Sequence, residues 1–135
     1  MSESVRIAAS ILDELLAAAR EHADHECCGL LAARNGVITR LLPASNALAS
    51  ATAYEIAPRE LFALLRSIRH ARLDFAGIYH SHPSSGNFPS PRDIELAFYP
   101  DVAYFILSPR VDWPKAVRAF SIRAGRVTEL EIIAV

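Results

Sequence analysis

Apolar residues recur at intervals of three and four positions in two segments of the chain, which is the spacing of one face of an α-helix. The first segment covers residues 11–22, and Ser10 stands where the N-cap of this helix is expected. The second begins at Pro58, a residue that suits the first turn of a helix, and continues to about residue 71. The apolar residues that we expect to form its buried face are Leu61, Phe62, Leu64, Leu65 and Ile68.

Other apolar segments have the length of β-strands. Residues 28–33 and 37–42 flank Asn35-Gly36, a pair that readily adopts the positive φ angles of a two-residue hairpin turn. The pattern therefore predicts two antiparallel strands joined at this turn, and a second hairpin that turns at Ala124-Gly125. The complete set of predicted strands is residues 5–8, 28–33, 37–42, 54–56, 75–82, 102–107, 116–122 and 127–135.

The order of these elements favours an α+β fold. Helices and strands are mixed along the chain without the regular strand–helix–strand repeat of a doubly wound sheet. The chain has 135 residues, of which 52% are hydrophobic, and it contains no repeat or long linker. We therefore expect residues 1–135 to form a single domain with one core.

Charge and cysteine content exclude several classes of protein. The 14 basic and 15 acidic residues give a formal net charge of −1, unlike the basic character of a general nucleic-acid-binding protein. The longest strongly apolar run, residues 102–107, is far shorter than the ~20 residues of a membrane-spanning helix. Cys27 and Cys28 are adjacent and poorly placed for a mutual disulfide, which favours a reducing, cytoplasmic location. We expect no nucleic-acid and no membrane partner.

The candidate chemistry is concentrated between residues 80 and 93. Side chains alternate faces along a strand, so His80 and His82 project to the same side and can approach one ion. Asp93 is expected in the first turn of a short helix that begins at Ser90-Pro91, and the preceding loop can return it to the histidines. Two imidazoles and one carboxylate suit Zn²⁺ with an open fourth position, as in catalytic zinc sites.

A hydrolytic zinc site also needs a base beside the metal, and a carboxylate suits that role. Glu26, which directly precedes the predicted strand at residues 28–33, is the candidate, although it is distant from His80 in sequence. Ser90 has two interpretations, because Ser-x-x-Asp at the start of a helix is a capping arrangement and the hydroxyl could also serve the reaction. Both roles can hold at once.

Together these residues resemble the JAMM motif of the MPN/Mov34 metallopeptidases, in which a glutamate is combined with His-x-His-Pro-x(6)-Ser-x-x-Asp. The segment ECCGLL at residues 26–31 is similar to the family's E-x-CGLL strand. The segments GIYHSHP at residues 77–83 and PSPRD at residues 89–93 resemble its GxYHSHP and PSxxD elements. The resemblance extends from about residue 5 to the end of the chain and favours the small, stand-alone bacterial type.

The resemblance implies a fold as well as an activity. The expected fold is a mixed central β-sheet flanked by helices, of the MPN/JAMM and cytidine-deaminase-like type. His80, His82 and Asp93 would bind one Zn²⁺ per chain. Glu26 would act as general base and then as general acid, and Ser90 would hydrogen-bond the attacking water or the developing oxyanion. The implied reaction is hydrolysis of a peptide or isopeptide bond at the Gly-Gly tail of a ubiquitin-like or sulfur-carrier protein.

Two other functions are compatible with the pattern. A catalytically inactive MPN scaffold would use the fold for protein–protein contacts, but such members typically lack a ligand and none is missing here. A RadC-like, DNA-associated protein is suggested because Pro83-Ser84-Ser85-Gly86 resembles an element of that family. RadC proteins are usually longer and carry a helical DNA-binding region. The loop at residues 84–88 differs from the Ala/Pro/Arg-rich loop common in small sulfur-carrier peptidases, which bears on substrate preference.

Some aromatic residues are candidates for substrate contact, although packing in the core or at its rim is their ordinary role. They are Tyr54, Phe88, Tyr99 and Trp113. A strand near residues 51–56 would, if it lay at a sheet edge, be able to pair with a substrate tail by β-augmentation.

Overall fold

The computed structural model describes residues 3–112 and 114–135 of the chain. Within these ranges it contains seven strands and three helices. In chain order they are β1 (Ser4–Ile7), α1 (Ala9–Glu21), β2 (Cys28–Arg34), β3 (Val37–Ala44), α2 (Pro58–His70), β4 (Asp74–Ser81), α3 (Pro91–Glu95), β5 (Ala103–Leu107), β6 (Val117–Arg123) and β7 (Arg126–Ala134). None of the helices in these ranges has the length and apolar character needed to cross a membrane.

The seven strands form one mixed sheet in the order β1-β3-β2-β4-β5-β6-β7. The β4–β5 and β1–β3 pairs are parallel, whereas the two hairpins β2–β3 and β6–β7 are antiparallel. A parallel pairing of β1 with β7 closes the sheet into a barrel. The predicted α+β fold with a mixed sheet and flanking helices is confirmed, and the barrel closure is an additional feature of the fold.

Helices α1 and α2 cover opposite faces of the sheet. Leu15 of α1 packs in one apolar cluster with Leu31, whereas Ile68 of α2 packs in a second cluster with Leu30. Because Leu30 and Leu31 are consecutive, β2 is covered on both sides, and its first six residues are buried. Strand β2, which lies between β3 and β4 in the strand order, is therefore enclosed between two apolar layers.

Both predicted hairpin turns are present and share one backbone geometry. Asn35 and Gly36 have φ angles of 51° and 79°, and Ala124 and Gly125 have φ angles of 49° and 79°. Two successive positive φ angles are typical of a type I′ turn, which matches the twist of the flanking strands.

The predicted N-cap of the first helix is wrong. Helix α1 begins at Ala9, so Ser10 lies inside it, and the N-cap Ala8 forms no side-chain capping bond. The backbone enters the helix directly from β1 and is stabilised by its neighbours. Ala8 N–H donates to the carbonyl of Ile38 at 2.9 Å, and Ala9 N–H donates to the carbonyl of Val135 at 3.0 Å. Tertiary contacts thus satisfy the N–H groups of the N-cap and of the first helical residue, which have no partner within the helix.

The predicted strand at residues 54–56 is also wrong, because this segment is an irregular connection between β3 and α2. Its backbone is bound by the side chain of Asn46. The Asn46 Nδ2 donates to the Ala53 carbonyl at 3.0 Å, and its Oδ1 accepts from Glu55 N–H at 3.2 Å. The strand proposed for β-augmentation is therefore not formed. In the adjacent α2, Phe62 is 71% exposed and does not belong to the predicted buried face.

Gly29 permits the close packing of β2 against its neighbours. A Cβ atom at this position would collide with the carbonyl of Leu42 and the ring of Tyr79. We expect Gly29→Ala to lower the free energy of unfolding of the metal-free protein by about 1–3 kcal/mol, measured by urea denaturation. Gly86→Ala is the control, because a Cβ there meets no atom within 4 Å. If Gly29→Ala were as stable as the wild type, the packing around residue 29 would have room for a Cβ atom.

Candidate metal centre

The two candidate histidine ligands lie at the end of the central strand β4. His80 pairs with Cys28 of β2 on one side and with Ile106 of β5 on the other. His82 follows the strand, and its N–H donates to the carbonyl of Leu107 at 2.8 Å. The alternation of side chains brings the two Nε2 atoms to 3.2 Å from each other, as the sequence predicts. Both residues are buried.

The capping of α3 positions the candidate carboxylate. Ser90 is the N-cap, and Asp93 is the third helical residue of a capping box. The Ser90 Oγ accepts from Asp93 N–H at 3.1 Å, and the Asp93 Oδ2 accepts from Ser90 N–H at 2.9 Å. The same Oδ2 lies 3.2 Å from His80 Nε2 and 3.0 Å from His82 Nε2. The helix cap therefore brings Asp93 to the histidines.

The distances between the candidate ligand atoms show whether a zinc ion fits these residues. Tetrahedral ligands at ~2.1 Å from one zinc ion lie ~3.4 Å from one another. The two Nε2 atoms and the Asp93 Oδ2 are 3.0–3.2 Å apart, so a small shift of the side chains accommodates the ion. The Nδ1 of His82 is 2.8 Å from the carbonyl of Gly86, which can only accept, so Nδ1 carries a proton. In the neutral ring the Nε2 then offers a lone pair, and the residues fit the metal.

Glu26 is brought to the same place by the pairing of β2 with β4. Cys28 of β2 faces His80 of β4 in the antiparallel pairing. Extending this register by two residues places Glu26 opposite His82. The carbonyl of Cys27 accepts from Ser81 N–H at 3.0 Å, which extends the strand pairing toward Glu26. Glu26 is 3% exposed, and its Oε1 has no hydrogen-bond partner among the described residues. The structure thus brings together Glu26 and the three candidate ligands.

The two carboxylates of the centre have opposite pKa shifts. Burial raises the pKa of Glu26 to about 7, although the positive charge on His82 opposes this rise. Burial also disfavours the charged form of Asp93, but hydrogen bonds from His80 and His82 outweigh it and hold the pKa of Asp93 below its ordinary value. With their pKa values separated in this way, Asp93 can stay ionised while Glu26 exchanges a proton near neutral pH.

The comparison with known proteins identifies the family. Residues 8–123 match the family described as prokaryotic homologs of the JAB domain. The chain belongs to this prokaryotic JAB family. The predicted JAMM/MPN resemblance is confirmed, and the chain is accordingly a hydrolytic enzyme of the JAMM type.

Curated relatives of this JAB-family chain are peptidases. A desampylase of Haloferax volcanii is 39% identical over 115 residues, covering 80% of this chain and 83% of the relative. A CysO-cysteine peptidase of Mycobacterium tuberculosis is 34% identical over 125 residues, covering 91% and 86%. A probable TtuB-protein conjugate cleaving protease of Thermus thermophilus is 35% identical over 124 residues, covering 91% and 79%.

Solved structures have the same fold. A solution structure of a Desulfitobacterium hafniense protein superposes with a TM-score of 0.86 at 31% identity, covering 97% of this chain and 92% of that protein. A JAB1/MPN domain protein from Archaeoglobus fulgidus has a TM-score of 0.63 at 21% identity, covering 96% and 97%. The second likeness shows the fold alone, which is that of a JAB1/MPN domain.

Three residues that support the centre of the JAB-family enzyme were not assigned these roles from the sequence. Tyr54 stacks on His80, with ring centroids 4.5 Å apart and an angle of 21° between the rings. Ser81 Oγ accepts from Cys27 N–H at 2.9 Å, and Asn46 Nδ2 donates to the carbonyl of Glu26 at 3.0 Å. The GIYHSHP and ECCGLL segments contain Ser81 and Cys27, but only the strand register shows that they meet.

The other candidate residues lie away from the metal ligands or in ordinary packing. Cys27 and Cys28 are buried and do not form a disulfide, and burial raises the pKa of Cys28 to about 12. Tyr99 packs edge to face on Phe75, with ring centroids 5.3 Å apart. Phe88 is 51% exposed. Trp113 lies outside the described residues.

Proposed function

We propose that this enzyme is a zinc-dependent peptidase or isopeptidase that cleaves after the Gly-Gly tail of a ubiquitin-like or sulfur-carrier protein. One observation carries the proposal. The Nε2 atoms of His80 and His82 and the Oδ2 of Asp93 converge to within 3.2 Å of one another, beside the buried carboxyl group of Glu26. The names of the relatives, a CysO-cysteine peptidase, a desampylase and a TtuB-conjugate protease, support the substrate class.

The proposed metal is one Zn²⁺ per chain, held by His80, His82 and Asp93. When bound, zinc polarises a carbonyl oxygen and lowers the pKa of a water molecule, which is the chemistry of hydrolytic zinc sites. We assign Glu26 the role of taking a proton at its carboxylate and later returning it to the leaving amine. The Ser90 Oγ accepts from Asp93 N–H, and its hydroxyl proton is therefore directed to other acceptors, such as the developing oxyanion.

A cavity beside Asp93 is a suitable site for the substrate tail. It has a volume of about 230 Å³ and is lined mainly by apolar and aromatic side chains. Its walls include Tyr54, Ile56, Leu96, Phe98 and Tyr99. An extended tail with an apolar residue can place that side chain here while its glycines, which have none, approach the metal ligands.

Cleavage of a carrier–peptide fusion tests the proposal. The purified, zinc-loaded enzyme is incubated with ubiquitin-like carriers fused through Gly-Gly to a peptide, and the products are analysed by mass spectrometry. We expect a carrier that ends in Gly-Gly with the wild type and intact fusion with His82→Ala. Intact fusions with a folded, zinc-loaded wild type would contradict the proposed reaction and favour a scaffold role.

The proposed double role of Ser90 gives a prediction of its own. We expect Ser90→Ala to lower kcat by ~10²–10³-fold through loss of a hydrogen bond to the developing oxyanion. We also expect the loss of the cap to lower the free energy of unfolding by about 1 kcal/mol. Ser90→Thr, which keeps a hydroxyl group, is the control, and kinetics are measured together with urea denaturation. An unchanged kcat in Ser90→Ala would leave Ser90 with the capping role alone.

A further inference from the structure

The loop between the candidate ligands His82 and Asp93 contains one buried polar residue. Residues 83–90 form no regular helix or strand, and four of them, Ser84, Ser85, Gly86 and Phe88, are exposed. Asn87 lies among these residues but is only 8% exposed. A buried amide carries a desolvation cost that only good hydrogen bonds offset.

The side chain of Asn87 binds the loop to the sheet. Its Nδ2 donates to the carbonyl of Lys115 at 2.8 Å and to the carbonyl of Ile106 at 3.3 Å. Ile106 is the residue of β5 that pairs with His80 of β4. The amide therefore connects the loop to the part of the sheet that carries the first candidate ligand.

The neighbour of Asn87 makes contact with the second candidate ligand. The carbonyl oxygen of Gly86 lies 2.8 Å from His82 Nδ1 and accepts a hydrogen bond from it. This bond orients the imidazole and leaves the Nε2 of the neutral ring as the atom that faces His80 and Asp93. Gly86 has no side chain that could hold its own peptide group in place. The side-chain amide of the adjacent Asn87, in contrast, donates hydrogen bonds to two carbonyls of other segments.

We propose that Asn87 is a positioning residue of the metal centre, which holds the Gly86 carbonyl against Nδ1 of His82 and so orients the imidazole toward the metal. The inference rests on the proposed zinc site. Asn87 itself lies outside the donor set and acts through the backbone of its neighbour. An aspartate at this position would have the same shape, but its ionised carboxylate cannot donate to the carbonyls of Ile106 and Lys115.

Zinc affinity and the hydrogen bond from His82 Nδ1–H to the Gly86 carbonyl test this role separately from activity. Zinc dissociation constants of the wild type, Asn87→Ala and Asn87→Asp are measured by competition with a chromogenic chelator. We expect both variants to bind zinc ~10–100-fold more weakly, as for the loss of other outer contacts of metal-binding histidines. In the zinc-loaded wild type, NMR should show a His82 Nδ1–H that exchanges slowly with water because it is hydrogen-bonded to the Gly86 carbonyl, and in both variants this exchange should be faster.

Two control variants separate positioning from general loss of stability. Ser85→Ala alters an exposed side chain of the same loop and should keep the wild-type zinc affinity. Ile122→Val removes a methylene group from a buried position in β6 and should lower the melting temperature without weakening zinc binding. Weakened zinc binding in Ile122→Val equal to that in the Asn87 variants would overturn the proposal.

The remaining outcomes decide the proposal even if a variant fails to fold. Wild-type zinc affinity and unchanged exchange of the His82 Nδ1–H in folded Asn87→Ala would overturn it. So would the absence of a slowly exchanging His82 Nδ1–H in the zinc-loaded wild type, a measurement that needs no variant. A wild type that binds zinc and keeps this hydrogen bond but cleaves no fusion would contradict the proposed function and leave the role of Asn87 intact.

Discussion

Replacement of Glu26 by glutamine is expected to lower kcat by ~10²–10⁴-fold while the zinc content stays that of the wild type. The amide has almost the shape of the carboxyl group but cannot take up a proton. Glu26 is 3% exposed, and burial raises its pKa to about 7, which is the range in which a carboxylate can both accept and return a proton near neutral pH. The effect should therefore be on the chemical step rather than on metal binding.

The kinetics of the carrier–peptide fusion and metal analysis of the same preparation measure this result. Glu21→Gln provides the matched control, because Glu21 is an exposed glutamate at the end of α1 and its replacement should leave kcat unchanged. A Glu26→Gln enzyme with wild-type kcat would remove Glu26 from the mechanism. A variant without bound zinc would instead indicate that Glu26 serves as a ligand.

The second large effect is expected from Asp93→Asn, which should weaken zinc binding by more than ~100-fold and leave no measurable cleavage. A single oxygen of Asp93 lies 3.2 Å from His80 Nε2 and 3.0 Å from His82 Nε2, and its charge is the negative charge of the donor set. The asparagine carbonyl oxygen can still accept the hydrogen bond from Ser90 N–H, so the start of α3 should be preserved. The variant thus separates the charge of Asp93 from its capping role.

Chelator competition and the cleavage assay check this expectation. Asp101→Asn is the control, because it removes a carboxylate from an exposed ion pair with Arg123, and such pairs contribute about 0–1 kcal/mol. We expect Asp101→Asn to bind zinc and to cleave as the wild type does. Wild-type zinc affinity in Asp93→Asn would exclude Asp93 as a ligand.

The features that could be predicted from the sequence are those set by neighbouring residues. The i, i+2 spacing of His80 and His82 determines their common face in any strand. The Ser90 and Asp93 pair forms its capping box within one helical turn, and Asn35-Gly36 forms its turn without help from the rest of the chain. Each of these contacts depends on local geometry, so the residue pattern alone was sufficient.

The features that could not be predicted depend on contacts between distant segments. The Asn46 side chain forms hydrogen bonds with the backbone of Ala53 and Glu55, and the expected strand around Tyr54 does not form. Helix α1 begins at Ala9 rather than after Ser10, and the N–H groups of Ala8 and Ala9 bond to the carbonyls of Ile38 and Val135, which are distant in sequence. Likewise, the pairing of β2 with β4 that brings Glu26 to His82 follows from sheet topology, which residue spacing does not encode.

Titration of the metal-free enzyme with zinc tests the central claim most directly, with cleavage of the Gly-Gly fusion followed at each addition. If His80, His82 and Asp93 hold one catalytic zinc ion, the rate should rise from zero in proportion to added zinc and reach a plateau at one equivalent per chain. The Glu26→Gln enzyme should bind the same single equivalent and remain inactive. Undiminished cleavage by the metal-free wild type, or no cleavage of the Gly-Gly fusion at full occupancy, would contradict the account.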